Sequence, residues 1–416
     1  MIGYDEALAH ILREAKPLPV VPRTPVPGQV LAEPVHSRED LPPFDNSAMD
    51  GFALRVGDAG IAAGAEFEVL GAQAAGDERV SAPAGAWEIM TGARIPDGLD
   101  AVIPVEQVEV LARDDDGKPA RIRLQAEVPR GQHVRRHGED VRKGDRFLAA
   151  GTRLDAPQLM LLAALGVSLV DVRAAPRVAL INTGRELVDD PARPLASGEI
   201  RNSNGPYLAQ RVEQAGAELV LRQTVSDEVD AFFIAMEEAR SAGAELVLST
   251  GAVSMGRYDF IPDALRKLGA TIHFHKVAIR PGKPLLFATL PNGALFFGLP
   301  GNPASSAVGL RFFVEPALRA MLGLAPERAL RLPLRGGRRA HHALRVFLKA
   351  RVELDAHGRL WAQALPGQES FRIAPLAQAN AWVVIDGSAG DLPEGAPVEV
   401  CGPGHLLGLT LEGVQP

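Results

Sequence analysis

Three short runs with apolar centres, spaced by helix-length segments, constrain this chain more than any other feature. RVALIN (177–182), AELVLRQTV (217–225) and AELVLST (244–250) read as strands. The segments at 204–215, 227–241 and 259–268 read as helices. Apolar runs of this length, without polar alternation, suit strands covered on both faces. Strands that alternate with helices imply a mostly parallel sheet with helices on both sides. LLFATL and ALFFGLP add a late hairpin across Pro291-Asn292-Gly293, and a last helix over about 303–322 runs to Gly323.

The texture differs on either side of that block. Tyr4, Ala7, Leu8, Ile11, Leu12 and Ala15 recur at helical spacing, and Pro17 stops the helix. Pro22, Pro25, Pro27 and Pro34 then break the chain into edge strands and turns. From 46 to 137, FEVLG, AWEIMTG, DAVIPVEQVEVL and RIRLQAEV are short strands between glycine turns, a small β-rich lobe with RDDDGKPAR as a solvated hairpin tip. APQLMLLAAL (156–165) is a further helix. After 324, RVFLKARVEL, RLWAQAL, AWVVID and APVEVCG alternate as strands of a small β domain. The expected class is α/β plus β in a multidomain chain. Residues 1–170 form an N-terminal region, in which an arm (21–45 and 138–170) flanks the lobe at 46–137. An α/β domain covers 171–323 and a C-terminal β domain 324–416.

With 416 residues the chain exceeds one ordinary core. A net charge of −7 argues against a nucleic-acid binder that works through bulk basic charge. Cys401 is the one cysteine, which excludes an internal disulfide and a thiolate metal cluster. The start lacks the continuous apolar core of a signal peptide, and no run is long and apolar enough to span a membrane. A cytoplasmic protein without membrane or nucleic-acid partners is expected.

Ligands of open α/β sheets bind beyond the carboxyl ends of the strands. Three such ends carry glycine with Ser, Thr or Asn: INTGREL (181–187), LSTGAVSMGRYDF (248–260) and FGLPGNPASS (297–306). Glycine lets the backbone approach a ligand, and free N–H groups at a following helix start favour an anion. Between the second and third loops lies HKVAIRPGKPLLF (275–287), where Pro281, Gly282 and Pro284 shape a rigid turn around Lys283, with Lys276 and Arg280 beside it. These cations suit an oxyanion, although lysine also guards ordinary edge strands. Asp50, Asp140, Glu186, Asp227 and Asp259 each lie in or beside a turn containing Gly, Ser or Thr. They are hard-oxygen ligands of the kind Mg2+ takes, and singly each is a helix cap or a surface charge; only convergence makes them a site. LPPFDNSAMDGFAL (41–54) fits neither helix nor strand periodicity, and its prolines and Gly51 mark an irregular segment with fixed bends. The histidines lack zinc-ligand spacing, and no nucleophile elbow or P-loop occurs.

FDNSAMDGFAL, MTGARIP, VRRHGEDV, NTGREL, STGAVSMGRYD, KVAIRPGKP and FGLPGNPASS stand in the order found in molybdopterin molybdotransferases. Over essentially its full length the chain resembles this family, the MoeA type that includes the gephyrin E domain. The resemblance implies insertion of molybdate into adenylylated molybdopterin, with AMP released and Mg2+ assisting. It implies an elongated homodimer whose cleft lies between the α/β domain of one subunit and the FDNSAMDG lobe of the other. The molybdopterin adenylyltransferase is a candidate partner. Asp50, Thr91, Asp140, Glu186, Asp227 and Asp259 match acidic or hydroxyl positions tied to activity, with Asp259 and Glu186 as metal ligands. Ser254, Arg280, Lys283, Pro284, Pro300, Asn302 and Ser305 match positions around the molybdate or phosphate pocket. The chain departs from the family at Arg185 (usually acidic), Ala252 (usually Gly), Arg280 (often Lys), Lys349 (often Arg), and Ala374 and Pro375 (often Ser). A non-catalytic scaffold like gephyrin, or a relative of the adenylyltransferase, is the alternative; the N-terminal lobe and β tail argue against the latter.

Overall fold

The computed structural model describes residues 1–82, 84–252, 260–339 and 344–411. They form two compact units: 1–32, 151–154 and 171–416 make the first, and 33–150 with 155–170 the second.

At the centre of the first unit is a six-stranded sheet. Its strands are β1 (Arg177–Thr183), β2 (Glu218–Val225), β3 (Leu246–Thr250), β4 (Thr271–His275), β6 (Leu286–Thr289) and β7 (Leu295–Leu299), with a short β5 (Ile279–Arg280) outside it. The order is β2-β1-β3-β7-β6-β4. The first four are parallel, and the expected hairpin and β4 close one edge antiparallel. Helices α1 (Tyr4–Glu14), α2 (Asn204–Gln214), α3 (Val229–Ser241), α4 (Ile261–Lys267), α5 (Pro303–Gly309) and α6 (Glu315–Met321) cover it. Successive strand residues point to opposite faces, which explains the unbroken apolar runs. Val178, Leu180, Leu246 and Leu248 join a cluster with Ile11, Val212, Val308 and Leu318. Their neighbours Ala179, Ile181 and Val247 join Phe232, Met236, Ile261 and Leu265 on the other side. Each fully buried leucine or phenylalanine contributes about 1.5–3 kcal/mol.

The helix expected over 303–322 holds a π-turn, Leu310–Val314, in which Glu315 N–H donates to Leu310 O, five residues back. Pro316 follows. A proline has no N–H to give and its ring collides with the carbonyl four residues earlier, so the wider turn relieves both problems.

Beyond α6, β8 (Leu330–Arg335), β9 (Arg345–Leu354), β10 (Leu360–Ala364), β11 (Ala381–Ile385) and β12 (Pro397–Cys401) form a closed barrel. The long β9 makes closure possible: Val346–Ala350 pair with β11 and Ala350–Leu354 with β10. Closure leaves no free edge to aggregate.

The second unit has a six-stranded sheet ordered Ala101–Pro104, Gly51–Leu54, Ala86–Ile89, Glu66–Gln73, Pro119–Leu124 and Val108–Arg113. Phe52, Leu54, Ile103, Ile122 and Leu124 fill one face and Ala53, Ile89 and Val102 the other. Val35–His36 pairs with Arg146–Leu148, and a helix spans Ala156–Ala164. No helix among the described residues is long and apolar enough to cross a membrane.

Candidate oxyanion site

The ends of β1, β2, β3 and β7 are stitched together by short polar contacts. Asn182 Nδ2 donates to Thr250 Oγ1 at 2.7 Å, and Thr183 Oγ1 to Thr250 O at 3.0 Å. Gly251 N donates to Leu299 O at 3.1 Å, and Gly184 N to Val225 O at 3.1 Å. Gly251 has φ +89°, and a Cβ there would meet Thr183 O at 2.5 Å, so only glycine fits. Ala252 follows at φ +49°, a left-handed conformation that glycine adopts more easily than alanine. Glu186 folds back on Gly184: a Cβ on Gly184 would lie 2.8 Å from each carboxylate oxygen. Arg185 N donates to Asp227 Oδ2 at 3.3 Å. One turn therefore brings Glu186 and Asp227 to the ends of β1 and β2.

The third loop leads into α5. Asn302 O accepts from Ser305 N and Ser306 N, each at 3.0 Å, Ser306 Oγ donates to Pro300 O, and Asn204 Nδ2 donates to Gly301 O at 2.8 Å. The Arg280–Pro284 turn lies against this helix start, since a Cβ on Gly282 (φ +101°) would be 3.4 Å from Ser305 O. Lys283 O accepts from Val277 N and Leu285 N, both at 3.0 Å, which fixes the backbone while the Lys283 and Arg280 side chains remain exposed. Burial lowers the Arg338 guanidinium from its ordinary value, and the nearby Arg280 charge lowers it further. Two cations held that close favour an anion between or beside them. Ser254 and Asp259 lie outside the described residues.

Lys349 sits in the barrel wall with its ammonium turned to a loop. The residue is 1% exposed, and its ammonium donates to Gly367 O at 2.8 Å, Arg372 O at 3.2 Å and Glu369 O at 3.3 Å. An ammonium has three donors, and all three are taken.

In the second unit, Asp50 Oδ1 accepts from Thr91 N at 2.6 Å and Thr91 Oγ1 at 2.9 Å. The Thr91 N–H, then its hydroxyl, hold the exposed Asp50 carboxyl below the ordinary carboxylate value. The sequence placed both residues on a candidate list but did not pair them. Gly51 is needed for close approach, because a Cβ would sit 1.9 Å from Ile103 O of the adjacent strand. Ser47 Oγ donates to Met49 O at 2.6 Å, and Asp45 accepts from His137 N at 2.7 Å and Arg136 Nη1 at 2.8 Å. The polar crowding of FDNSAMDG is thus spent on holding an irregular bend that presents Asp50. Asp140 is exposed, its N–H on Leu41 O at 3.0 Å.

Two polar groupings escaped the sequence reading. Asn202 accepts from Gly205 N and donates to Asp189 Oδ1 and Thr224 Oγ1, and next to it the buried Asn182 Oδ1 lacks a hydrogen-bond partner. Asn-Ser-Asn-Gly (202–205), running into the start of α2, was the available signal. The other is an ionic cluster behind the sheet. The fully buried Glu315 accepts from Arg211 Nη2 at 2.6 Å and His405 N at 2.9 Å and lies 3.4 Å from Arg311 Nη1, while Arg311 Nη2 reaches Glu327 at 2.6 Å. Arg211 and Arg311 also donate to Pro403 O and Gly402 O, fixing the tail.

For a divalent cation, no three Asp, Glu, His or Cys side chains cluster among the described residues. Glu186 offers one of the one or two carboxylates that Mg2+ uses when phosphates and water complete its shell, so it fits that mode, and its expected companion Asp259 lies outside the described residues.

Glycine, amide and hydroxyl groups at the ends of parallel strands, with a cationic turn on the next helix start, define an anion-binding α/β domain. Residues 179–320 match the family described as "Probable molybdopterin binding domain". Residues 2–166 match "MoeA N-terminal region (domain I and II)" and 331–401 "MoeA C-terminal region (domain IV)". The chain is 38% identical to a molybdopterin molybdenumtransferase of Synechococcus elongatus, over 96% of this chain and 99% of the relative. It is 35% identical to one of Bacillus subtilis, over 89% and 86%. A crystal structure of the molybdopterin biosynthesis MoeA protein of Pyrococcus horikoshii aligns with TM-score 0.78 at 28% identity, over 96% of this chain and 99% of that one. The chain belongs to the molybdopterin molybdenumtransferase (MoeA) family, a family of transferases.

Proposed function

We propose that this protein inserts molybdate into adenylylated molybdopterin and releases AMP, forming the molybdenum cofactor. The observation that carries this reading is the Arg280–Pro284 turn seated against Ser305, next to strand-end loops tied to one another. In the insertion, two Mo–S bonds form as one oxide takes both thiol protons and leaves as water. Water then cleaves the phosphoanhydride, and AMP is the leaving group. Lys283 and Arg280 neutralise the oxyanion, and the Pro300–Asn302 backbone and Ser305 line it, with Pro284 rigidifying the turn. Asp227 orients water, and Ser254 adds a hydroxyl to the pocket. Glu186 and Asp259 would hold Mg2+, which would supply charge stabilisation at the phosphates.

The working form in this reading is a cytoplasmic homodimer, with Asp50, Thr91 and Asp140 of one subunit serving the other. The shared dimer follows the family resemblance, while the cytoplasm and the division at 170 and 323 follow the sequence pattern. An adenylyltransferase supplies the substrate. Incubation with adenylylated molybdopterin, Mg2+ and molybdate tests the reading: AMP release that depends on molybdate supports it, and binding without release would make the chain a scaffold.

A further inference from the structure

We propose that Lys349 is a positioning residue: its ammonium holds the barrel loop 367–372, and through the Ser370 carbonyl that loop sets the first turn of α5, where Ser305 stands. The inference rests on the reading of that helix start as part of the oxyanion pocket.

A lysine in the middle of β9, between Leu348 and Ala350, replaces apolar surface with a charge in the barrel wall. Such a group is costly unless every donor is satisfied. Here three carbonyls of one loop satisfy it, and no carboxylate among the described residues is bonded to it. Gln368 clamps the same loop from its own side chain, accepting from Lys349 N at 3.0 Å and donating to Lys349 O at 2.8 Å and Leu365 O at 2.7 Å. Gly367, at φ +73°, lets the chain double back: a Cβ there would lie 2.9 Å from Arg372 Cδ. The loop so held reaches α5. The early N–H groups of a helix have no partner within it. Ser305 and Ser306 use Asn302 O, and Ala304 N donates instead to Ser370 O at 2.9 Å. Lys349 therefore acts on the pocket at one remove, with no donor left to bind an oxyanion itself.

Lys349→Met keeps the length and removes all three donors. Hydrogen exchange by mass spectrometry on the full chain reads the coupling. Segments 365–373 and 302–306 are expected to exchange about tenfold faster or more, while β11 and β12 keep their protection. Half-saturating molybdate should rise while kcat changes less, a split that a smaller folded fraction does not produce. If the barrel loosens throughout, Gln368→Ala, which weakens the same loop and leaves Lys349 in place, is read in the same way. Loosening of 365–373 with 302–306 still protected overturns the proposal, as does an unchanged loop in Lys349→Met or an unchanged molybdate dependence with both segments loosened. A wild-type protein without turnover overturns the proposed function, and the exchange result then decides the coupling alone.

Discussion

Molybdate offers a protein nothing but oxygens, whereas an adenylylated pterin has rings, amides and phosphates to fall back on. Loss of one charge-assisted hydrogen bond costs roughly 1.5–3 kcal/mol, about ten- to a hundredfold in affinity. Lys283→Met is therefore expected to raise half-saturating molybdate by about that factor and to change pterin retention less. Collapse of pterin binding with unchanged molybdate dependence would make Lys283 a phosphate ligand. Asp50 gives a pH prediction. Its two bonds from Thr91 lower the folded carboxyl, so whatever its ionised form contributes is present above the unfolded value of about 3.9 and is lost as pH falls through the lower folded value. Thr91→Ala removes the hydroxyl bond and should shift the Asp50 titration upward in a carboxyl NMR experiment. An unshifted titration would mean the hydroxyl does not hold the carboxylate. At this scale the sequence named candidate residues but not their partners: Asp50 and Thr91 are 41 positions apart, and only strand pairing brings them together.

Elements whose signal is local were legible. The apolar runs of β1 and β3 and the amphipathic α1 could be read directly, because burial on two faces or one leaves a distinct period. The π-turn was not, since it answers a clash between Pro316 and the preceding turn that leaves apolar periodicity intact. The barrel strands were legible individually, but closure depends on the length of β9 and on which neighbours each half selects. The role of Lys349 could not be read, because its carbonyl cage lies in a loop about twenty residues away in sequence. The Glu315 cluster was hidden for the same reason, its partners lying on α2, the π-turn and the tail. Glu315→Ala takes the shared carboxylate from two buried guanidiniums and leaves Arg311 with Glu327, and removing one partner of a buried ionic group costs about 3–5 kcal/mol. The melting transition of the first unit should fall clearly; a shift within error would show that water or rearranged partners satisfy the arginines.

For the whole molecule, the proposed function requires an assembly. Light scattering should give twice the 44.2 kDa chain mass at micromolar concentration, and a fully active monomer would remove the shared-site proposal. Family membership rests on matches that span nearly the whole chain, so both the lobe that carries Asp50 and the barrel that carries Lys349 belong to the protein whose chemistry is in question. The central claim is that nucleotide release and molybdenum insertion are one reaction. The direct measurement is the ratio of AMP released to molybdenum retained on pterin, taken over a molybdate titration with purified protein, adenylylated molybdopterin and Mg2+. The account predicts equal amounts that rise together and saturate together. AMP release at the same rate without molybdate, or with no molybdenum on the product, would contradict it.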